Sequence, residues 1–313
     1  MAKKQALTKY IIRAAGAALH LQEREKLMRK YKEKIMQVVF LCAALVSIAA
    51  VLLICLFLFV NGIPAMAKIG VFDFLLGTKW APNNEPASYG IWPMILGSIY
   101  ITVGAVVLGV PIGIMTAICL SRFCPRRLYK IIKPAIDLLA GIPSVVYGFF
   151  GMVVLVPFIR NTFGGSGYGI LTASVLLAIM ILPTIVSVSE SAINAVPDSY
   201  YEGALALGST KERSVFRTVV PAAKSGILAG VVLGIGRAIG ETMAVILVAG
   251  NSTVIPNSIL SGVRTLTTNI VLEMGYATDL HREALIATGV VLFVLILIIN
   301  LLFAVIKNKG AKS

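Results

Sequence analysis

Arg237 and Glu241 stand four residues apart inside an otherwise apolar run, 226–249. If that run is a membrane helix, Arg237 lies about 16 Å beyond Gly226, near the middle of a hydrocarbon core about 30 Å thick. Ionisable groups at that depth are costly and mark substrate or ion paths. A spacing of four puts both side chains on one face of a continuous helix. The guanidinium is permanently charged and its planar fork of donors matches phosphate and carboxylate oxygens, so the chemistry expected is recognition of an anion. Glu241 would orient Arg237 while the path is empty, and by accepting a proton-bearing oxygen it would discriminate between protonation states of an oxyanion. The competing reading is a self-neutralising structural pair. Arg before Glu is the less favourable order for such a pair, and pairing alone gives no reason for charge at mid-membrane. Arg237 and Glu241 are therefore the candidate substrate-pathway residues.

Other reactive groups are sparse. His20 and His281 are the only histidines, and Cys42, Cys55, Cys119 and Cys124 show neither zinc spacing nor a disulfide framework. No metal site, no cofactor and no catalytic residues are expected. A Gly-x-x-x-x-Gly-Lys-Ser/Thr phosphate loop is missing, and 234–242 lacks both its lysine and a preceding strand, so the chain is not expected to bind ATP itself.

The elements that must position Arg237 follow from hydropathy. The 313 residues are 58% hydrophobic and 13% charged, against about 25% charged in soluble domains, and the mean hydropathy is +0.91. The net charge of +14 would suggest nucleic acid on a soluble chain; here its distribution gives another account, and no nucleic-acid partner is expected. Six nearly uncharged runs of membrane-spanning length appear, at about 35–60, 91–120, 135–159, 170–192, 226–249 and 285–306. Of the 28 Lys and Arg, 22 fall in 1–34, 121–134, 193–225 and after 306; 61–90, 160–169 and 250–284 hold five. By the positive-inside rule both termini are cytoplasmic.

Ala65-Met66-Ala67 resembles a signal-peptide cleavage site, but the polar lead of 34 residues and the long apolar run exceed signal-peptide dimensions, which predicts an uncleaved first helix. The lead, with Leu19, Leu27 and Ile35 among basic residues, reads either as an amphipathic surface helix or as a solvated tail. The expected organisation is a basic cytoplasmic segment over 1–34, a transmembrane region over 35–306 and a cytoplasmic tail over 307–313.

Gly226, Gly230 and Gly234 form one small-residue ridge for close helix packing, and Gly236 with Gly240 thins a second face. Pro111, Pro143, Pro157 and Pro183 interrupt other spans, as pathway proteins tolerate and as simple kinks also explain. Asp137 and Glu190 lie near the cytoplasmic ends of their spans, where interfacial satisfaction accounts for them. Arg264 and Glu273 sit on an outer segment that either covers a mouth or lies on the surface. Between the fourth and fifth spans, 194–224 reads as two short helices: Asp198 can cap the first, Gly208 ends it, and Ser209 with Glu212 offers a capping box for the second, which ends near Pro221. Between membrane spans, such a unit suits docking of a cytoplasmic partner.

Glu202-Gly203-Ala204, then Gly208, then Pro221 resembles the EAA loop of ABC importer permeases, departing from it at Gly203, Thr218 and Val220. The runs 141–151 (GIPSVVYGFFG), 236–244 (GRAIGETMA), 219–226 and 264–270 (RTLTTNI) narrow the resemblance to the phosphate-specific permeases. The resemblance implies an all-α polytopic membrane protein of about six transmembrane helices with the type I, MetI-like fold, passing inorganic phosphate inward. It assigns ATPase coupling to Glu202, Gly203, Ala204 and Gly208. It also implies an assembly with a second permease subunit, an ATPase dimer and an extracytoplasmic phosphate-binding protein in a lipid membrane. Molybdate or sulfate is the alternative cargo. A secondary anion transporter is the rival class, but would leave the 202–221 loop without a purpose.

Overall fold

The computed structural model of the chain describes residues 2–310, with side chains described over 30–302 and at 305. Five helices among these are long and apolar enough to cross a membrane, and a bent helix pair makes a sixth, so the protein is multi-pass. Two units are distinguished, Met1–Phe57 and Leu58–Ser313. The first is a helical stretch whose large apolar side chains from Ile35 to Phe57 are exposed, as suits a surface solvated by lipid. Leu19, Leu27 and the end of the expected tail, 311–313, lie outside the described residues.

Helix α1 is Ala2–Ile69, and α2 is Val71–Leu76. A short hairpin pairs β1 (Trp80–Ala81) with β2 (Ser88–Tyr89), Trp80 opposite Tyr89. Then come α3 (Trp92–Phe123), α4 (Arg126–Gly141), α5 (Ser144–Phe163), α6 (Ile170–Asn194) and α7 (Asp198–Ala206). The bent pair is α8 (Lys211–Ala222) and α9 (Lys224–Gly240), meeting at 70°. Last are α10 (Met243–Val248), α11 (Leu266–Glu273) and α12 (Asp279–Gly310). The helices widen to π turns at Cys119–Phe123, Gly151–Leu155 and Val215–Val219.

Helix α6 is the centre of the second unit: Leu176, Ile181 and Ile185 are fully buried. Small residues on its neighbours bring the backbones close. On α3, a Cβ at Gly109 would stand 2.9 Å from Ile181 Cδ1, and one at Gly113 2.8 Å from Ile185 Cγ2. On α9, Cβ atoms at Gly226 and Gly234 would come within 2.3 Å of Ala192 Cβ and 2.8 Å of Ile185 Cγ1. The expected ridge of glycines every four residues is thus the seam between α9 and α6, where contact without side chains replaces the hydrophobic drive that lipid removes. The second glycine face has no such neighbour: Cβ atoms at Gly236 and Gly240 would meet nothing within 4 Å.

Two expected spans are shaped differently. Instead of a helix over 135–159, α4 stops at Gly141, Ile142 and Pro143 are extended (ψ 128° and 141°), and α5 begins at Ser144. Proline brings no N–H and pushes the residue before it out of the helical region. Helix α4 is amphipathic and buries no residue fully. Likewise the run 226–249 breaks at Glu241, which is extended at ψ 130°. Pro111 and Pro183, by contrast, lie inside continuous helices.

The packing of α9 on α6 makes a comparison of two glycines informative. Gly226→Val should destabilise the protein by about 1–3 kcal/mol through overpacking, whereas Gly236→Ala should be neutral or stabilising by up to about 1 kcal/mol. Thermal unfolding of the detergent-solubilised variants reads the difference; equal midpoints would contradict the seam.

Candidate functional site

The two broken segments meet. Helix α10, which follows the break at Glu241, packs on the start of α5, which follows the break at Pro143: a Cβ at Gly148 would stand 2.9 Å from Ala244 Cα, and one at Gly151 2.8 Å from Val248 Cγ1. Both close approaches need glycine on α5. The Tyr147 hydroxyl donates to the Leu139 carbonyl (2.8 Å), tying α5 back to the end of α4 across the extended pair. The Arg237 guanidinium lies within electrostatic reach of that same hydroxyl.

Arg237 is half-buried on the last turn of α9, beside the empty space that faces Gly236 and Gly240. Glu241 is half-buried too, but the expected juxtaposition on one helix face does not occur, because the helix has ended between them. Glu241 Oε1 instead accepts hydrogen bonds from the backbone N–H groups of Thr242 (3.1 Å) and Ala244 (3.2 Å) at the start of α10. Its carbonyl, freed from the helix, accepts from Thr267 Oγ1 on α11 (3.2 Å). Among the described residues no ion pair joins Arg237 to any carboxylate. Protein groups thus take up two amides and a carbonyl at the break, as suits membrane depth, and Arg237 stands there without a carboxylate partner among the described residues.

Residue Glu202 and Gly203 are exposed on α7, Ala204 is half-buried, and Gly208 lies beyond its end. Gly208 has φ +83°, with its N–H on Leu205 O (2.9 Å) and the Ser209 N–H on Ala204 O (3.1 Å). This is a Schellman stop, for which glycine is suited. Because Ser209 belongs to that stop, α8 begins one residue later than expected. Thr210, not Ser209, caps it, accepting from the Arg213 N–H (3.3 Å), and the expected Ser209–Glu212 capping box is not formed. Asp198 does not cap α7 either; its carboxylate pairs with Arg122 at 3.0 Å. Leu207 is 91% exposed next to this stop.

Two further polar clusters are built over distances no local pattern spans. Glu273 on α11 takes Arg264 on one oxygen, and Trp80 Nε1 (2.9 Å) and His281 Nε2 (2.8 Å) on the other. A carboxylate only accepts, so His281 Nε2 carries the hydrogen. Arg264 also donates to Asn251 O and Asn269 Oδ1. The expected outer segment is therefore pinned to the hairpin and to α12, rather than lying loose on a surface. At the opposite end of α6, buried Glu190 receives the Tyr129 hydroxyl (2.8 Å) and the Lys133 ammonium (3.1 Å), both from α4. Lys133 also reaches Asp137 (3.1 Å) and Ser187 Oγ (3.0 Å).

Residues 109–309 match the family described as binding-protein-dependent transport system inner membrane component. The chain is 40% identical to the probable ABC transporter permease protein YqgH of Bacillus subtilis over 271 residues, 85% of this chain and 88% of that one. It is 38% identical to the phosphate transport system permease protein PstC of Mesorhizobium japonicum over 263 residues, 77% of this chain and 80% of that one. Among solved structures, a chain of the inward-facing MetNI methionine ABC transporter superposes with a TM-score of 0.56 at 19% identity, covering 70% of this chain and 96% of that one. That likeness establishes the MetI-like importer permease fold.

Two sets of variants test this geometry by thermal unfolding. Glu241→Ala should cost about 1–2 kcal/mol by leaving two amides at the break unpaired, and Glu241→Gln, which keeps an acceptor, should recover most of it; equal losses would refute the capping role. Glu273→Gln should cost about 3 kcal/mol by stranding Arg264, and replacing Arg264 and Glu273 together by Met should cost less than that single change.

Proposed function

The chain belongs to the family of binding-protein-dependent transport system inner membrane components, and on that premise we propose that it is the permease subunit of an ATP-driven importer of inorganic phosphate. The observation that carries the reading is Arg237: a permanently charged, half-buried guanidinium without a carboxylate partner among the described residues, at a break inside the 236–244 run that resembles phosphate-specific permeases. An oxyanion is the ligand whose oxygens fit that fork of donors. The name borne by the Mesorhizobium japonicum relative supports phosphate as the cargo.

In this reading the pathway runs past Arg237 and the open face of Gly236 and Gly240. A group that must bind and release an anion on each cycle works best without a competing internal carboxylate, and the engagement of Glu241 with the α10 amides keeps Arg237 available. Glu241 is the group that would sense whether the arriving oxyanion carries a proton. The basic segments place both termini, 1–34 and 307–313, together with 194–224, on the cytoplasmic side of the plasma membrane. There Glu202, Gly203, Ala204 and Gly208 present α7 to an ATPase dimer; exposed Tyr200 and Leu207 give that helix an apolar tip for a groove. A second permease subunit completes the pathway, and a phosphate-binding protein delivers from outside. This chain itself holds no nucleotide.

The test is uptake of labelled phosphate by cells lacking the chain, complemented with wild type or with Arg237→Gln, with membrane abundance measured alongside. Uptake should fall at least about a hundredfold in the variant at normal abundance, as loss of a required charge contact would give. Retained uptake would reduce Arg237 to a structural role. Absence of phosphate uptake with wild type and all partners present would overturn the cargo, and competition by molybdate or sulfate would then identify the alternative. Uptake that needs no ATPase would indicate a secondary transporter.

A further inference from the structure

The Lys133–Glu190 pair is built unlike a packing contact. Glu190 is 3% exposed, and the ammonium approaches its Oε2 at 3.1 Å without an aligned hydrogen bond, the other oxygen being held by Tyr129. Burial by itself pulls the Lys133 ammonium down, but its close approach to the Asp137 and Glu190 carboxylates and their negative charges outweigh it and hold the group above the ordinary lysine range. While the carboxylates are ionised, the attraction is therefore lost only as the pH climbs through the raised lysine value. Helix α4 buries no residue fully, so apolar packing, from half-buried Tyr129, Ile132 and Ile136, holds it less firmly than the core helices are held. The polar cluster adds a fastening to α6.

What lies on either side of this fastening gives it a role. Toward the 198–222 loop, Ser121 donates to the Glu190 carbonyl (3.4 Å). Arg122, next to it, donates to the Ile193 carbonyl (3.1 Å) and pairs with Asp198, the first residue of α7. Val215 and Val219 of α8 share an apolar cluster with Ile193 and Ile118. Toward the other side, α4 ends at the extended pair 142–143, and its Leu139 carbonyl holds the Tyr147 hydroxyl within electrostatic reach of Arg237. A displacement of α7 thus has a route of polar contacts through α6 and α4 to Tyr147 on α5, the helix on which α10 packs after the break, and a charge pair with a buried carboxylate joins α6 to α4 on that route.

We propose that the Lys133–Glu190 pair is the positioning contact that transmits movement of the 198–222 loop to the Arg237 break, so that it sets how tightly ATP hydrolysis and transport are coupled. This rests on the importer reading. Lys133 and Glu190 touch no substrate in it; they fix α4, and α4 fixes Tyr147.

The experiment uses the complete transporter, with its partner permease, ATPase and binding protein, in proteoliposomes, measuring phosphate uptake and ATP hydrolysis on the same preparations. Lys133→Met and Glu190→Gln should each lower uptake about tenfold while hydrolysis stays within about twofold of wild type. Lys133→Arg, which keeps the charge, should retain coupling, and the exchange Lys133→Glu with Glu190→Lys should regain part of the lost uptake. Tyr129→Phe removes one hydroxyl from Glu190 and leaves the packing intact, so it reports even where the charge variants fail to assemble; its uptake per ATP should fall about threefold. Uptake and hydrolysis falling in proportion, or an unchanged ratio in Tyr129→Phe, would overturn the proposal. Wild-type complex that takes up no phosphate would instead overturn the importer reading, which separates the two failures.

Discussion

Backbone amides freed inside a membrane have no water to bond, and this constraint organises the second unit. The segment 224–248 bends out of helical geometry at Glu241, and protein partners meet groups released there: the Glu241 side chain for two amides, Thr267 for a carbonyl. Once a break is satisfied in this way it becomes a fixed element of the fold. What remains is an arginine at the end of a helix, within electrostatic reach of a tyrosine and next to two glycines with open space before them. Charge, space and irregular backbone coincide at the place where the sequence departs most from a plain apolar helix.

That arrangement needs a rigid support, and α6 provides it. Glycines on α3 and α9 let both helices approach α6 to distances that side chains would forbid, so the part of α9 that carries Arg237 is anchored along its length up to the last turns. Helix α4 is the contrasting case: it buries no residue fully, and ions and hydrogen bonds join its half-buried apolar side chains in holding it to α6. A buried ion pair is costly to form and costly to break one-sidedly, so it defines an arrangement more than it stabilises one. Firm and loosely fastened parts are thus separated by chemistry: close van der Waals contact for the support, polar contacts for the element next to the break.

The number of spans and the glycine seam were legible in the sequence because hydropathy and four-residue spacing are local, one-dimensional signals. The breaks were legible only in outline. Pro143 was visible, but 135–141 is apolar enough to pass for part of a span, and only its facing partners on α6 show that α4 is a separate amphipathic helix. The carbonyl freed at Glu241 is taken by Thr267, 26 residues away, and nothing in Gly240-Glu241-Thr242 forbids a continuous helix. The helical ridge therefore predicted a shared face for Arg237 and Glu241 that the fold divides. The place of Glu273 stays open in the sequence, since its partners Trp80 and His281 come from other segments. Lys133 drew no notice, because its meaning lies in Glu190, 57 positions on. Stretches settled by tertiary hydrogen bonds were invisible to any local pattern, and these are the stretches that shape the site.

The three π turns carry a consequence for how such chains diverge. Each is a helix with one residue more than its regular path needs, at Cys119–Phe123, Gly151–Leu155 and Val215–Val219. Deleting a residue inside one lets the turn relax to regular helix, with every side chain downstream kept in phase. Deleting a residue elsewhere in the same helices rotates all that follows by about 100° and turns buried faces outward. Length changes within the spans of related chains should therefore gather at these three places, where a codon can be lost without rotating what lies beyond it.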